Sequence, residues 1–556
     1  MQIDITKLGY RWVGQYSPTA TYKENDIVYK DSGAYKVNAD GTLTEFALGQ
    51  SDVTTKGHLL TGGDSIGGVN SQILHSKLNS GIEFRHTDER NGTYVKRLMN
   101  DGINSSHRGA PYGSGYYTPM AIMSDGTVRV WGQRNNDGRA GVGVSANNIN
   151  TYRPMQVCFP KGVVIEQVYG NVNCRVAVDS TGQSWGWGHY DGHGTSAVSN
   201  SFIPKKHSDT LPELASEKIV DVITSYLWYG VGHTLLLTES GKVYGYGVNN
   251  YGQLGDSTTS NVYTIKRIGA ELGKIIRMFS QGSTYGWTIL QTENKDIYTS
   301  GNHGGYGLNP QGTEFQKVSL LNGVGSPVKD IISNLHDFHG AGTSYYGSLV
   351  TIHENGNAYV FSNGFYSSNT WGSQGYNGMN LVVSDPFDTN VKELITMNGG
   401  YPNALSLRND GTIWHRGLHY GTSPTGGAST TWNQFTDYNS NAITNVIKIF
   451  MSGGHYTHHM SALTQDGLLY CWGNTQNGGD GIGVANTNDP STGLRPVKIP
   501  EKIIDYAVYG YGSSGTGYFS VFALSETNTL YAFGYNTYYA VNDYNGYKSS
   551  PKRVVF

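Results

Sequence analysis

The sequence predicts an all-β protein, a β-propeller of four-stranded blades, and three observations lead to that fold class. A hairpin pattern recurs eight times along the chain, at steps of 54 to 61 residues. Glycine accounts for 76 of 556 residues, close to twice the usual share of about 7%, whereas proline accounts for only 16. Tyr, Val, Ile and Thr are plentiful, and these residues favour strands. We therefore expect strands joined by glycine turns, with very little helix.

The recurring hairpin has its clearest copy at residues 235–247, LLLTESGKVYGYG. An apolar strand leads into a Ser-Gly turn, and a second strand with alternating tyrosines follows it. The equivalent turn positions along the chain are Gly126, Gly182, Gly241, Lys295, Gly356, Gly411, Gly467 and Asn528. Six of the eight are glycine, as expected where a tight hairpin turn needs a positive φ angle.

The second strand of each hairpin carries aromatic side chains at alternate positions. An aromatic stands three residues after the turn position in seven of the eight repeats, and five residues after it in six. The aromatics of the second set are Trp131, Trp187, Tyr246, Phe361, Trp472 and Phe533. Glycine follows directly in seven repeats, for example at Gly247. Because residues two apart share a strand face, we expect these aromatics to pack between neighbouring blades rather than to stack on sugar.

Two more strands complete each repeat, giving the order A-B-C-D in which B and C form the hairpin. Apolar segments such as IVDVITS at 219 precede the hairpins, and proline-containing segments such as RPMQV at 153 follow several of them. Four-stranded units repeated radially form a β-propeller, and a stacked solenoid is the less favoured alternative. Seven and eight blades are both compatible with the pattern, because PKRVVF at 551 could complete the eighth blade or pair with an early strand.

Residues 233–255 carry the motifs of a known repeat. The segment begins with HTLLLT at His233, continues through the Ser-Gly turn and a strand ending in Tyr-Gly, and closes with NNYGQLG at Gly255. These motifs resemble the RCC1 family, and HMSALTQDGLLYCWGN from His459 is similar. The resemblance extends over residues 94–556. It implies a propeller that serves as an interaction scaffold, with both histidines in structural positions; some family members are exchange factors for small GTPases.

The amino-terminal segment differs from the repeats. Residues 10–38, YRWVGQYSPTATYKENDIVYKDSGAYKVN, resemble small carbohydrate-binding modules of the chitin-binding type. The resemblance implies Trp12, Tyr29 and Tyr35 as sugar contacts. Three regions are therefore expected. They are a small β module at 1–46, a connector at 47–93 with a candidate strand at 82–86, and the propeller at 94–556.

Composition excludes several classes of partner. Lys plus Arg number 39 against 42 Asp plus Glu, and charged residues make up only 15% of the chain. Nucleic acids and anionic membranes bind clustered cations, so neither is expected as a partner. A neutral, tyrosine-rich surface suits sugars or another protein. The start of the chain has no apolar stretch of signal-peptide length, which predicts a product made in the cytoplasm.

No constellation in the sequence points to catalysis, so we expect neither an enzyme nor a cofactor. Cys158, Cys174 and Cys471 are widely spaced and are expected as buried apolar residues rather than disulfide or zinc ligands. The histidines of HYTHH at 455–459 are expected in a loop and strand B, not in a metal site. Candidate ligand-binding aromatics on the loops are Tyr306, Tyr366, Tyr420 and Tyr511.

The sequence-based hypothesis for function is a bacteriophage virion protein, a tail fibre or receptor-binding adhesin. In this hypothesis the amino-terminal region contacts other virion proteins, and the propeller presents loops to a host-surface glycan or protein. Its location would be the virion, and homo-oligomerisation is left open. An architectural virion component without host contact is one alternative. A cellular RCC1-type scaffold or GTPase regulator is another.

Overall fold

The computed structural model describes most of the repeat region and four short segments before it. The described residues are 11–15, 26–30, 33–38, 43–45, 93–99, 119–132, 138–143, 151–170, 174–189, 193–195, 200–227, 230–282, 286–302, 312–318, 325–334, 348–362, 388–397, 403–417, 429–453, 458–474, 493–512, 517–534 and 548–554. The chain divides into two compact units, residues 1–93 with Phe556 and residues 94–555.

The amino-terminal unit contains one four-stranded sheet. Its strands are β1 (Arg11–Gln15), β2 (Asp26–Lys30), β3 (Gly33–Val37) and β4 (Leu43–Glu45). Strand β1 runs parallel to β2, and the other pairs are antiparallel. The candidate strand at 82–86 lies outside the described residues.

The second unit contains eight sheets in chain order, which are the blades of a propeller. Blade 1 has β5 (Val95–Leu98), β6 (Met120–Met123), β7 (Val128–Gly132) and β8 (Thr151–Gln156). Blade 2 has β9 (Ile165–Gly170), β10 (Cys174–Asp179), β11 (Ser184–Gly188) and β12 (Ser201–Lys206). Blade 3 has β13 (Ile219–Leu227), β14 (Gly230–Thr238), β15 (Val243–Gly247) and β16 (Val262–Ile268). Blade 4 has β17 (Ile275–Gly282), β18 (Gly286–Thr292), β19 (Ile297–Gly301) and β20 (Gly312–Lys317).

The other four blades repeat the same order. Blade 5 has β21 (Val328–Asn334), β22 (Ser348–His353) and β23 (Ala358–Ser362). Blade 6 has β24 (Val391–Met397), β25 (Asn403–Arg408), β26 (Ile413–Gly417) and β27 (Ser429–Gln434). Blade 7 has β28 (Val446–Gly453), β29 (His458–Thr464) and β30 (Leu469–Asn474). Blade 8 has β31 (Ile503–Gly512), β32 (Gly517–Ser525), β33 (Leu530–Gly534) and β34 (Lys548–Val554).

The predicted all-β propeller of four-stranded blades is confirmed, and the number of blades is eight. Strands within each blade are antiparallel and follow the chain order A-B-C-D. In blades 5 and 7 the described part of strand D is reduced to isolated bridges, Ala358 with Asp388 and Tyr470 with Pro496. The carboxyl-terminal segment completes blade 8, because β34 pairs with β33.

The ring is closed by side-chain packing between blades 8 and 1. The Tyr509 hydroxyl on β31 donates to the carbonyl of Met99, directly after β5. The rings of Trp131 on β7 and Phe522 on β32 meet edge to face with centroids 5.4 Å apart. Strands A of neighbouring blades contact one another, so strand A is innermost and strand D outermost.

The strand order gives the propeller two different faces. We call the end with the B–C turns, the D-to-A segments and the starts of strand A the turn face. The opposite end, with the A–B and C–D connections, is the loop face. Helix is confined, among the described residues, to three 3₁₀ segments between strands D and A: η1 (His207–Asp209), η2 (Pro212–Ser216) and η3 (Ala270–Leu272). The expectation of very little helix is confirmed, and no described helix has the length and apolarity to cross a membrane.

The apolar core lies between blades rather than at one centre. Val176 of blade 2 shares a cluster with Leu236 and Tyr244 of blade 3. Leu463 of blade 7 similarly packs with Val521 of blade 8. Because fully burying such a side chain contributes roughly 1.5–3 kcal/mol, the junctions between blades hold the ring together.

Candidate interaction face

The B–C turns are the most regular feature of the turn face. All eight turn positions have positive φ, from 63° at Asn528 to 87° at Gly467. At six junctions the first residue of the next blade's strand A donates its N–H to the carbonyl of the turn glycine, at 2.8–3.1 Å. We call this bond the blade clamp. The clamped turn residues are Gly126, Gly182, Gly241, Gly356, Gly411 and Gly467.

The clamp explains why most of these turns need glycine. A Cβ on Gly126 would lie 2.4 Å from Cγ1 of Val164, and one on Gly467 would lie 2.1 Å from Cγ of Lys502. Lys295 and Asn528, the two turn residues that are not glycine, face blades 5 and 1. At those two junctions no clamp bond forms between the described residues. The exceptions in the sequence therefore coincide with the unclamped junctions.

Strand A of all eight blades, clamped or not, has a β-bulge at its second residue. The ladder skips Val220, for example, because Ile219 pairs with Thr238 and Asp221 with Leu237. A bulged residue is left out of the ladder and can be turned toward solvent. The skipped residues in the eight blades are Lys96, Glu166, Val220, Ile276, Lys329, Lys392, Ile447 and Ile504.

Large apolar side chains are exposed at these strand starts on one side of the ring. Val220, Ile447 and Ile504 are 48%, 43% and 46% exposed at the bulge of blades 3, 7 and 8. Tyr94 and Val164, immediately before strand A of blades 1 and 2, are 47% and 38% exposed. These five residues follow one another around blades 7, 8, 1, 2 and 3, and we call them the apolar arc. Exposed apolar groups that are gathered rather than scattered mark interaction sites.

Two ion pairs lie beside the apolar arc. Lys96 of blade 1 forms an ion pair with Glu166 of blade 2, at 3.0 Å. Lys448 of blade 7 bonds Asp505 of blade 8 at 2.6 Å, and its ammonium also donates to the Tyr506 carbonyl. These bonds join equivalent positions of adjacent blades, so successive arc residues are close neighbours.

Each B–C turn also has at least one carboxylate in its first residues or directly before them. We call this set the carboxylate rim, and its members are Asp125, Asp179, Glu239, Glu293, Glu354, Asp410, Asp466 and Glu526. All except Asp179 are exposed. Asp410 accepts hydrogen bonds from the hydroxyl and amide of Thr412, which hold the pKa of its carboxyl below the usual range.

The predicted strand-C aromatics lie inside the junctions. Trp131, Trp187 and Trp472 are at most 1% exposed. The Trp187 indole donates to the Arg139 carbonyl of the preceding blade at 3.0 Å. Their surroundings are those of packed core residues, and no described residue of strand C forms an exposed aromatic platform.

The NNYGQLG segment, residues 249–255, packs against blade 4. The Asn249 amide donates to Asp256 at 2.9 Å and its carbonyl oxygen accepts the Leu254 amide at 2.8 Å. A Cβ on Gly255, at φ 62°, would lie 2.3 Å from the Phe315 ring of blade 4. This C–D connection of blade 3, on the loop face, therefore has a structural role in joining blades 3 and 4.

The two family-position histidines are buried and differ in their contacts. His233 meets the Ser225 hydroxyl at 2.9 Å and reaches blade 4 through Thr288 at 3.1 Å, and burial lowers its pKa to about 3. Burial likewise lowers the pKa of His459 to about 3, but its ring packs 5.4 Å from that of Phe519 in blade 8. The buried Nε2 of His459 has no hydrogen-bond partner. No group of three potential metal ligands occurs in the described part of the chain.

The predicted ligand aromatics lie partly in the described structure and partly outside it. Trp12, Tyr29 and Tyr35 lie on β1, β2 and β3 of the amino-terminal unit. Tyr511 lies near the end of β31, paired with Tyr518. Tyr306, Tyr366 and Tyr420 lie outside the described residues. The apolar arc was missed, although aliphatic second residues in IVD, VIK and IID could have indicated it.

Comparisons with known proteins match the repeat that the sequence motifs resemble. A model described as "Regulator of chromosome condensation (RCC1) repeat" matches residues 229–253. The Ultraviolet-B receptor UVR8 of Arabidopsis thaliana is 24% identical over 374 residues, which cover 66% of this chain and 76% of the receptor. The probable E3 ubiquitin-protein ligase HERC4 of Rattus norvegicus is 26% identical over 189 residues, which cover 34% of this chain. That alignment spans only 17% of the ligase, so the chain resembles a small part of it.

Two solved structures match the chain at low identity. Human WBSCR16 is 18% identical, with a TM-score of 0.47, and the match covers 72% of this chain and 98% of WBSCR16. Yeast RCC1 (Prp20), in its complex with Kap60, is 16% identical, with a TM-score of 0.45, and the match covers 83% and 89% of the two chains.

Proposed function

We propose that residues 94–555 form a non-catalytic interaction scaffold that binds a protein partner through the turn face. The observation that carries this proposal is the apolar arc, in which five large side chains are exposed at or directly before the start of strand A in five consecutive blades. Blade clamps fix the backbone at the start of strand A in four of the five arc blades, all except blade 1. A surface ordered before binding loses little entropy when a partner docks.

Similarity to UVR8 and to the RCC1 repeat supports a cellular scaffold or regulator over the virion hypothesis. The receptor and ligase activities in the relatives' names are not assigned to this chain. Exchange activity toward a small GTPase is a separate proposal. A nucleotide-release assay with purified GTPases tests it directly.

The virion protein remains a second candidate because of the amino-terminal unit. Its separate four-stranded sheet fits a small β module attached to a larger domain. In that role the partners would be other virion proteins and a host-surface glycan or protein. Mass spectrometry of purified virions tests this proposal, and absence of the chain from every virion preparation would contradict it.

The scaffold proposal is tested by removing the apolar arc. Full-length chain with Val220→Ser, Ile447→Ser and Ile504→Ser is compared with wild type in affinity purification from the producing cells. We expect the co-purifying proteins to fall about ten-fold or more, which corresponds to 1.4 kcal/mol of binding free energy. The matched control is Ile203→Ser, since Ile203 is 37% exposed on strand D, outside the arc. Equal recovery with the triple variant and the control would contradict the proposal.

A further inference from the structure

The six blade clamps divide the ring into two equal parts. They join blades 1, 2, 3 and 4 to one another in sequence, and likewise blades 5, 6, 7 and 8. The two junctions without a clamp, 4 to 5 and 8 to 1, lie on opposite sides of the ring. No clamp bond joins Lys295 to Val328 or Asn528 to Val95, although the structure describes all four residues. Blades 1–4 and blades 5–8 therefore form two half-rings.

The blades on either side of the unclamped junctions are built like the others. In all eight blades the residue after strand B donates its N–H to the carbonyl of the residue directly before strand A, at 2.8–2.9 Å. Ser124 bonds Tyr94 in this way in blade 1, and Glu354 bonds Pro327 in blade 5. The start of strand A is thus held within every blade, and only its bond to the preceding blade differs.

The side chains of Lys295 and Asn528 explain the missing clamps. The six clamped glycines have φ angles of 79–87°. At five of them a Cβ would lie 2.1–2.9 Å from the residue before the next strand A. Lys295 and Asn528 have φ angles of 67° and 63° and carry a Cβ in this place. Because glycine is what permits such a close approach of two backbones, these two residues hold the next blade away.

Side chains and the chain itself connect blades 4 and 5. The buried Gln291 amide donates to the Val328 carbonyl at 2.9 Å. Lys295 and Glu354 form an ion pair at 3.1 Å on the surface, where such pairs contribute little. The chain also passes directly from blade 4 into blade 5, so these blades stay linked when their contacts change.

The junction of blades 8 and 1 has no direct chain connection, because blade 1 comes first and blade 8 last in chain order. The Tyr509 hydroxyl bond to Met99 and the contact between the Trp131 and Phe522 rings cross it. With neither a clamp nor a chain connection, it is the junction at which the ring opens most easily.

We propose that the half-rings part at the junction of blades 8 and 1, turning about the junction of blades 4 and 5, and that a partner on the apolar arc holds the ring closed. The second part rests on the proposed scaffold function. The arc spans the opening junction, with two residues on blades 7 and 8 and three on blades 1, 2 and 3. Opening separates Ile504 from Tyr94. A partner that binds only the closed ring shifts the equilibrium towards it, so binding and closure are coupled.

A buried reporter thiol tests the opening. Ala532 is fully buried and pairs with Phe522, so it lies on the strand face that packs against blade 1. Cys174 and Cys471 are equally buried but lie at the clamped junctions of blades 2 with 3 and 7 with 8. In the full-length Ala532→Cys chain, maleimide labelling is followed by peptide mass spectrometry. We expect the introduced thiol to react at least about ten-fold faster than the two native thiols. Equal rates would overturn the proposal.

A second reporter faces the same junction from blade 1. Ala121 is fully buried and pairs with Arg129, on the strand face that also carries Trp131. Ala121→Cys should give the same fast labelling, and it decides the question if the melting temperature shows that Ala532→Cys is not folded. Slow labelling of this thiol in a folded chain would likewise overturn the proposal.

Two glycine substitutions test whether the half-rings move together. Asn528→Gly removes the Cβ at the opening junction and should slow labelling of the Ala532→Cys thiol at least about three-fold. Lys295→Gly, on the opposite side of the ring, should also slow it, because the half-rings cannot part without movement there. Its reference is Lys295→Ala, which removes the same ion pair with Glu354. Labelling that Lys295→Gly leaves unchanged would mean that blade 8 or blade 1 loosens by itself, and would overturn the proposal.

The coupling to a partner is tested in complexes recovered by affinity purification of the Ala532→Cys chain. The introduced thiol should be labelled at least about ten-fold more slowly there than in the free chain. If the two rates are equal, the coupling is wrong, while the scaffold function still stands on its own test. If the triple serine variant keeps its co-purifying proteins, the scaffold function and the coupling fail together, and labelling of the free chain still decides the opening.

Discussion

The turn face and the loop face of the propeller differ in how regularly their backbone contacts repeat from blade to blade. On the turn face the backbone repeats from blade to blade, since six turn glycines accept the same clamp bond. Side chains at the adjacent bulge do not contribute to that bond, so they vary from Lys96 to Ile504. On the loop face, by contrast, Asn249 and Gly255 are committed to holding blade 4. A regular backbone can therefore carry a variable surface, while an irregular loop can be structural.

Acidification should lower the free energy of unfolding more than the substitutions described below, because histidines are buried in the propeller. Burial lowers the pKa of His207 to about 4 and the pKa values of His233 and His459 to about 3. Their unfolded forms bind protons below pH 6.5, so their contribution to stability is complete above that value and is lost as pH falls towards 3.

Between pH 6 and pH 5 the three histidines together should cost on the order of 3 kcal/mol of unfolding free energy. Urea denaturation at a series of pH values measures this loss. His459→Phe should reduce the slope by removing one titrating group. A wild-type stability that stays level from pH 7 to pH 5 would contradict the burial of neutral histidine.

Replacing the turn glycine with alanine should disturb the blade clamp at Gly467 but not at Gly356. Gly467→Ala should destabilise the fold by about 2 kcal/mol or more, since the new Cβ has both an unfavourable φ and a steric conflict with blade 8. Gly356→Ala is its matched control, because Gly356 has φ 81° but its Cβ would meet nothing nearer than 3.9 Å.

The control substitution should cost about 1 kcal/mol, the value for φ strain alone. Thermal or urea unfolding gives both free energies. Equal losses for the two substitutions would mean that the close approach of the next blade adds nothing to the need for glycine.

The two family-position histidines give the smallest expected difference. His233→Ala should cost about 1–3 kcal/mol, because Ser225 and Thr288 lose a buried hydrogen-bond partner. His459→Phe should change stability at pH 7 by less than about 1.5 kcal/mol, since a ring of similar shape replaces one with an unpartnered nitrogen. Similar losses from both substitutions would show that the hydrogen bonds of His233 do not distinguish the sites.

The repeating blades could be predicted from sequence because each blade needs the same residue types at the same positions. Six glycines at one turn position and tryptophans such as Trp187 at another recur at a fixed spacing, and backbone geometry imposes both. Eight blades could not be chosen over seven from the pattern, because the pairing of residues 548–554 depends on contacts distant in sequence.

The candidate site could not be predicted in the same way. Val220 and Ile504 belong to strands that the pattern identifies as apolar and therefore buried. Only the bulge at the second residue of strand A exposes them, and a bulge depends on the register with strand B. Of the four aromatics expected to bind ligand from loops, Tyr511 lies on strand β31, and the other three lie outside the described residues.

The central claim is that a protein partner covers the apolar arc on the turn face. Hydrogen–deuterium exchange of the full-length chain, alone and in complex with a co-purified partner, tests it most directly. Slower exchange is predicted at the starts of strand A in blades 7, 8, 1, 2 and 3, with no change at residues 249–255. Protection confined to the loop face, with the strand starts unchanged, would contradict the claim.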